Sequence, residues 1–414
     1  MRLPWFLRDP TLRAILLLTM LVGLSTGFVM PFLTLTARDR GVSLDVIGIM
    51  ASSYLLAQMV LQLPMGALSD RVGRVGPIVA GMLVEAVATA GFAVADSATV
   101  FILLRVAQGV GFSLLYPSFR ALIADTTPPE RRGRSFAMVS AAVGGGLLLG
   151  PPIGGVAAGV IGAAQLFLGA AVIEALVAVW ALNRFSGIRR IYQARASSAE
   201  PVPFSSLLTR PLIGAFLLAF AGQFQTGLFS GIWSIYLADR GASDLTIGLS
   251  YSTYSIAFMV LAPFGGRLAD RTPRWRKLLV ANLLFSLVVA SYGVLPSVTL
   301  VILMGLAEGA IGAVAQPTLD AYLASVADAR VQGRVQGAFA TTGMAGAAIS
   351  AFLGSVLYAL GAPVPFAVGG TVLALLTLVA AALIREAEQR RAGGPPGHDQ
   401  PTQVLAEPGA GYSA

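Results

Sequence analysis

Three carboxylates and one arginine stand alone inside long apolar stretches of this chain: Glu85, Glu174, Glu308 and Arg105. A charge at the centre of an apolar helix in lipid costs about 2.5–3.5 kcal/mol on insertion scales, and more in simulations. Such a residue needs a partner, a wet cavity or, for an acid, a proton that neutralises it. An acid so placed can take up and release a proton. Arg105 cannot lose its own, so it supplies a fixed positive field to neighbouring carboxylates, or else snorkels or packs between helices. Other chemistries are closed off. There is no cysteine, hence no disulfide or thiolate. The one histidine, His398, lies in a polar tail, so the body has no His-based metal site or triad. The one lysine, Lys277, stands between Arg276 and Leu278, which excludes a phosphate-binding loop ending in Lys-Ser/Thr. No metal and no cofactor are expected, and no polar stretch is long enough for a soluble enzyme domain.

The elements that must hold these residues are membrane helices. The 414 residues are 56% hydrophobic and 12% charged, and a soluble domain carries about twice that charge. A span needs about 20 apolar residues. No charge falls between Arg13 and Arg38, Asp45 and Asp70, Arg210 and Asp239, or Asp244 and Arg267. The run from Arg334 to Arg385 is long enough for two helices, with a turn at Gly361-Ala362-Pro363. The remaining runs are interrupted only by Glu85, Arg105, Glu174 and Glu308. The pattern predicts an all-α integral membrane fold of twelve helices, roughly at 11–37, 45–69, 76–95, 99–123, 135–160, 165–183, 211–237, 245–269, 278–295, 298–325, 334–360 and 365–384. Barrel strands would alternate in short segments, which these continuous runs do not. The first run is too long for a signal-peptide core, and no small-residue cleavage site precedes a soluble domain.

Charge placement sets orientation. Only Arg38, Arg40 and Arg240 among the basic residues fall in loops on one side, and Arg105 is within a helix. The other basic residues share the opposite side, which the positive-inside rule assigns to the cytoplasm. Both termini and the loop carrying Arg189, Arg190 and Arg195 are then cytoplasmic, in the inner (plasma) membrane of the cell. The net charge of +8 is thus a topology signal, and nucleic acid is not an expected partner. The expected organisation is a six-helix bundle over residues 1–183, a cytoplasmic linker over 184–210 containing Ser197-Ser198-Ala199-Glu200-Pro201, a second six-helix bundle over 211–385, and a disordered cytoplasmic tail over 386–414 with Gly393-Gly394-Pro395-Pro396-Gly397. A monomer is expected.

The two bundles are copies. Shifted by 200 positions, Asp39-Arg40-Gly41 falls on Asp239-Arg240-Gly241, Ile47-Gly48 on Ile247-Gly248, and Tyr54 on Tyr254. Gly66-Ala67-Leu68-Ser69-Asp70-Arg71 falls on Gly266-Arg267-Leu268-Ala269-Asp270-Arg271, Arg74 on Arg274, Gly109 on Gly309, Pro117 on Pro317, and Gly133-Arg134 on Gly333-Arg334. Six is an even number, so both copies enter from the same side, as parallel repeats about an axis along the membrane normal. Two such bundles enclose a cavity that can open to either side. A receptor, anchor or scaffold that transports nothing gives no reason for the duplication, though it remains the alternative of a different class.

Gly66-Ala67-Leu68-Ser69-Asp70-Arg71-Val72-Gly73-Arg74 resembles the loop signature between helices 2 and 3 of the major facilitator superfamily, and the copy at Gly266 is degenerate. The resemblance covers about residues 10–385. Asp70 can cap the start of a helix in the other half, near Gly333, while Arg71 and Arg74 can pair with Asp125. Gly66, Asp70, Arg71, Gly73, Arg74, Asp125, Asp270 and Arg271 would then form a conformational latch. Otherwise the arginines only anchor the loop to headgroups. Arg105-Val106-Ala107-Gln108-Gly109 resembles a second family motif, associated with proton-coupled members. Gly146-Leu147-Leu148-Leu149-Gly150-Pro151-Pro152-Ile153-Gly154-Gly155 resembles the helix 5 motif of the family's drug–proton antiporters. Gly146, Gly150 and Gly154 recur every four residues and give a smooth face for close approach. Pro151 and Pro152 remove backbone donors and invite a kink. By resemblance this helix, with Gly155, crosses the interface between halves. Small-residue packing is the plainer reading.

The resemblance also implies that helices 1, 4, 7 and 10 line the cavity and 3, 6, 9 and 12 lie outside. Glu308, in helix 10, lies about 15 Å in from the outer end at the helical rise. It occupies the repeat position of Gln108, and Glu308, Arg105 and Gln108 are the expected proton-coupling residues. Glu85 and Glu174, on peripheral helices, are expected to be neutral or hydrogen-bonded packing groups. Helix 1 lacks the acid that some drug–proton antiporters carry there, and helix 7 instead offers Gln223 and Gln225. These, with Phe28, Tyr116, Trp233 and Gln316, are the expected cavity residues. An apolar and amide lining suits amphiphilic organic small molecules. The resemblance implies a secondary transporter driving proton-coupled efflux of such compounds or drugs by alternating access. A metabolite or sugar uniporter or symporter of the same fold is the alternative.

Overall fold

The computed structural model describes residues 9–128, 131–185, 209–269, 273–326 and 332–393. Twelve helices account for nearly all of them: α1 Pro10–Asp39, α2 Leu44–Val72, α3 Val75–Val94, α4 Ala98–Thr126, α5 Arg132–Ile161, α6 Ala163–Phe185, α7 Arg210–Asp239, α8 Asp244–Ala269, α9 Arg274–Ser291, α10 Val298–Val326, α11 Gln332–Ala359 and α12 Val364–Gly393. There is no strand among the described residues. Apart from their first turns, helices satisfy their backbone donors internally, which the hydrocarbon layer demands. Eleven are long and apolar enough to cross a membrane. The exception is α9, whose first turn carries Arg274, Arg276 and Lys277. Large apolar side chains such as Leu63, Val87 and Val160 lie 82%, 72% and 78% exposed, as a lipid-facing surface requires. The last helix continues past its expected end near 384, to Gly393. Bonds to the rest of the bundle hold this extension: Arg210 donates to Glu386 at 2.8 and 2.9 Å, and Glu388 accepts from the Arg274 amide at the start of α9. The central loop, Asp270-Arg271 and the tail beyond 393 lie outside the described residues.

The duplication is visible in local structure. Asp9 caps α1, accepting from the amides of Thr11 and Leu12 at 2.8 and 3.1 Å, with Pro10 in the first turn. At the far end α1 and α7 stop in the same way. Gly41 and Gly241 take φ of 81° and 78°, and Val42 and Ala242 return amide bonds to Ala37 and Leu237. Only glycine adopts that backbone cheaply. The arginine before each glycine is also reused. Arg40 donates to the carbonyls of Phe92, Ala93 and Ala95 at the end of α3, and Arg240 to Leu295 beyond α9. A cation there satisfies carbonyls that have no helical partner.

Packing partners repeat as well. In the first half α1 packs on α5 and α6, α4 on α2 and α3, and α3 on α6; in the second, α7 packs on α11 and α12, α10 on α8 and α9, and α9 on α12. Between halves, α2 packs on α11 and α5 on α8, one the copy of the other under a two-fold exchange, and α1 touches α7. Burial distinguishes the two ends of the molecule. One apolar core, including Phe32, Ile47, Phe92, Phe167, Trp233, Tyr236, Ile247 and Phe366, is continuous across both halves at the end carrying the α1–α2 and α7–α8 turns. Toward the termini the core divides in two: Ile15, Leu18, Met82, Phe119 and Ile123 in one half, Leu212, Leu218, Leu278, Tyr322 and Ile384 in the other.

Candidate functional site

The end where the core is shared is also sealed by polar contacts between halves. Arg38 of α1 pairs with Asp239 of α7 at 2.5 Å, and the Tyr358 hydroxyl of α11 donates to the other Asp239 oxygen at 2.8 Å. Close backbone approach supports the seal. A Cβ on Gly48 of α2 would stand 2.8 Å from the Phe352 carbonyl oxygen of α11, and one on Gly155 of α5 would stand 2.5 Å from that of Asp244 in α8. Ser252 of α8 donates to the Leu148 carbonyl of α5 at 2.6 Å.

The signature loop lies at the opposite end. Arg74 donates to Asp70 at 2.5 Å and to Asp125 at 2.9 Å. Burial works against the Arg74 charge, but these two carboxylates outweigh it and hold the guanidinium above its ordinary value. The bonds tie the end of α2 to the end of α4 within one half. Asp70 is 67% exposed, and Arg71 occupies the exposed last turn of α2. Gly73 ends that helix at φ 94°. Gly66 faces Pro117, with room for ordinary contact. Asp270 and Arg271, and the surroundings of Gly333, lie outside the described residues.

The glycine face of α5 is turned toward its own half. A Cβ on Gly150 would stand 2.6 Å from the Leu24 carbonyl oxygen, and one on Gly154 2.6 Å from that of Phe28; Gly146 meets Met20 and Leu24. All of these partners are on α1. The second half is met instead by Pro151, whose carbonyl lies against Gly248, by Gly155, and by the Leu148 carbonyl bonded to Ser252. One motif therefore serves two neighbours.

Among the in-span charges, Glu308 is 8% exposed and accepts from the hydroxyl of Tyr292, the residue that caps the end of α9, at 2.6 Å. Arg105 does not reach it. Its Nη1 donates to Gln108 Oε1 at 2.9 Å and its guanidinium lies 4.1 Å from the centre of the Tyr54 ring on α2. The two expected coupling groups thus sit in separate halves. The expected cavity residues are also divided. Tyr116 is 42% exposed, stacks on Phe112 and accepts from Arg120. Gln316, at the repeat position of Tyr116, is exposed and donates to Asp320 at 3.1 Å. Gln223 is exposed beside Thr226, and Phe28 is half-buried. Trp233 and Gln225 do not join them. Trp233 is buried among Phe229, Tyr236, Tyr292 and Phe366 and donates to Ser250 at 2.9 Å. Gln225 is 2% exposed with neither amide atom partnered.

Sequence reasoning did not single out Arg38, Asp239 and Tyr358 as a seal, nor Tyr292 as the partner of Glu308. One signal was available for each. Arg38 and Asp239 are charges on the side where charge is scarce, and Tyr292 replaces Phe92 of the first copy. The groups able to hold a metal were absent as well: no cluster of three or more His, Cys, Asp or Glu occurs among the described residues.

Two copied helical bundles, packed about a two-fold and joined firmly at one end only, define a multi-pass membrane carrier rather than an enzyme. The chain belongs to the Major Facilitator Superfamily, whose sequence pattern matches residues 15–233 and 215–410. It is 25% identical over 233 residues to the quinolone resistance protein NorA of Staphylococcus aureus, covering 56% of this chain and 60% of that one. It is 27% identical over 274 residues to the multi-drug resistance efflux pump PmrA of Streptococcus pneumoniae, covering 63% and 67%. The match to NorA thus spans less than two thirds of that relative. In fold it superposes, with a TM-score of 0.74 at 15% identity, on a bacterial homolog of the human lysosomal transporter Spinster in an inward-facing and occupied conformation, covering 94% of this chain and 99% of that one. The human organic anion transporter MFSD10 superposes with a TM-score of 0.62 at 19% identity, covering 91% and 100%.

Proposed function

We propose that the protein exports amphiphilic organic compounds across the plasma membrane in exchange for protons, by alternating access, as a monomer with both termini in the cytoplasm. The observation that carries the coupling is Glu308: an acid near the middle of α10, almost fully buried, with a single tyrosine donor. Burial of that kind makes the charged form expensive and the neutral form stable, so a change in access to water changes its protonation. The efflux reading draws on the similarity to NorA, a quinolone resistance protein, and PmrA, a multi-drug resistance efflux pump, and on the glycine-proline motif of α5. With the termini inside, the sealed end faces outward and the structure is inward-facing.

The cycle runs as follows. Outward-facing protein takes a proton at Glu308 and releases its compound. The halves rock about the α2–α11 and α5–α8 contacts. The proton leaves to the cytoplasm as new compound binds among Tyr116, Gln223 and Gln316. The Asp70–Arg74–Asp125 cluster acts as the latch that resets on the cytoplasmic side. Protein reconstituted in vesicles with an imposed pH gradient, tested with a panel of lipophilic cations and sugars, should move protons opposite to a cation. Glu308→Gln should abolish uphill transport while sparing downhill exchange. Normal uphill pumping by that variant would remove Glu308 from the mechanism, and transport of sugars alone would replace efflux by the carrier alternative.

A further inference from the structure

Glu174 lies outside this scheme, yet it is a buried acid of the first half held by a hydrogen bond from another helix. It sits in the middle of α6, 8% exposed. Its Oε1 accepts from the Ser25 hydroxyl of α1 at 2.8 Å. Its Oε2 is buried with no partner, although Thr89 of α3 lies beside the carboxylate. Thr89 is the end of a relay. Arg105 Nη1 donates to Gln108 Oε1 at 2.9 Å, and Gln108 Nε2 donates to Thr89 Oγ1 at 3.3 Å. Thr89 Oγ1 accepts there, so its own hydroxyl proton is not used by that bond, and it makes no hydrogen bond to Glu174 in this structure. Both hydrogen bonds run one way, from the fixed cation on α4 to Thr89, the hydroxyl beside the acid of α6.

We propose that Glu174, with Glu85 beside it, is a second proton-binding site, housed in the first half and sensed by Arg105 through Gln108 and Thr89. Two opposed demands make it a switch. Burial with an unpartnered oxygen favours the neutral acid, and the Ser25 donor favours the anion. The proton adds to Oε2 from water and returns to water; Ser25 keeps its bond to Oε1 in both states. The charged and titratable groups that face this acid are few. Glu85 of α3 feels both Glu174 and Arg105 electrostatically, and its side chain packs against Gly111 of α4. Tyr54 of α2 lies under Arg105. Helix α1 has no charge between Arg13 and Arg38, and α5 none after Arg134. The site is peculiar to one half. At the repeat positions of Ser25, Glu174 and Arg105 stand Gln225, Ala374 and Gly305. The second half places its acid on α10 instead. Through Ser25, protonation acts on α1, the helix that seats the glycine face of α5 and ends at Arg38 in the outer seal.

This inference extends the proton-coupling reading but is tested without transport. The full chain in lipid nanodiscs is titrated from about pH 5 to about pH 9 while infrared difference spectra follow the C=O stretch of protonated carboxyl groups. Glu308→Gln, which removes the acid proposed to couple transport, should retain a titrating carboxyl band. Adding Glu174→Gln should abolish that band. Ser25→Ala on the Glu308→Gln background keeps every remaining acid and should move the frequency of the same band, and it serves even if the double variant does not fold. The proposal is overturned by a Glu308→Gln protein with no titrating band, by a band that survives Glu174→Gln, by one unmoved in Ser25→Ala, or by one lost only in Glu85→Gln. None of those outcomes touches the role of Glu308, which stands or falls on vesicle transport.

Discussion

Replacing Asp239 by Asn should open the sealed end of the molecule. The side chain makes two contacts that join the halves, the pair with Arg38 at 2.5 Å and the bond from Tyr358 at 2.8 Å. The pair is partly solvated, with side chains 30% and 45% exposed, so it contributes only about 0.5 kcal/mol after screening. The bond from Tyr358 to a charged acceptor adds about 1.5 kcal/mol. Their sum, about 2 kcal/mol, corresponds to roughly a thirtyfold shift in the equilibrium between closed and open forms of that end. The chain has no cysteine, so spin labels go only where cysteines are introduced. Ser43→Cys and Ser243→Cys place one label on each exposed turn, at equivalent positions of the two copies. Pulsed electron resonance then measures the distance between them. The parent should show mainly the short, closed distance, and Asp239→Asn a large new population at longer distance. Tyr358→Phe, which keeps the ion pair, should produce a smaller population. A distance distribution that Asp239→Asn leaves unchanged would show that the apolar core alone holds this end shut, and the reasoning from the polar seal would fail.

Other consequences follow from particular contacts. Gly150→Ala should lower stability by about 1–3 kcal/mol in detergent unfolding, because the new methyl meets the α1 backbone, whereas Gly144→Ala, with nothing within 4 Å, should be nearly neutral. Arg40→Ala should cost about 2 kcal/mol by the same measure, since it strips the donor from three carbonyls at the end of α3. Arg40→Lys should recover only part of that, because one ammonium cannot span them as the guanidinium fork does. The Arg74 ion pairs should be insensitive to alkali. A cation held above its ordinary value keeps its stabilising contribution until pH rises through that raised value, so bonds to Asp70 and Asp125 persist as pH climbs from neutral toward about 11. Loss of signal from a probe at Asp125 in that window would contradict the sign of the argument.

The sequence by itself determined the membrane, the twelve helices and the duplication. Apolar run length and the scarcity of charge allow no other solvent, and the 200-residue register carries the same turn at Gly41 and Gly241 into both copies. The Asp70–Arg74 contact was legible for the same reason: the two residues are four positions apart across the turn at Gly73, and their contact is local. Which helix each face meets was decided by tertiary structure. A four-residue glycine repeat says that a helix is approached closely, without saying by what, and packing turned Gly146, Gly150 and Gly154 to α1 while Pro151 and Gly155 met α8. The charges behave alike. Arg38 and Asp239 are about two hundred positions apart and carry no mark of pairing until the two bundles come together at that end. Glu174 looked like an isolated acid on a peripheral helix because its partners, Ser25 and Thr89, are small hydroxyls on two other helices, and only a three-helix crossing makes them neighbours. Helical period fixes which residues share a face; the crossing of helices fixes what that face touches, and every group proposed to bind a proton gains its partners at such a crossing.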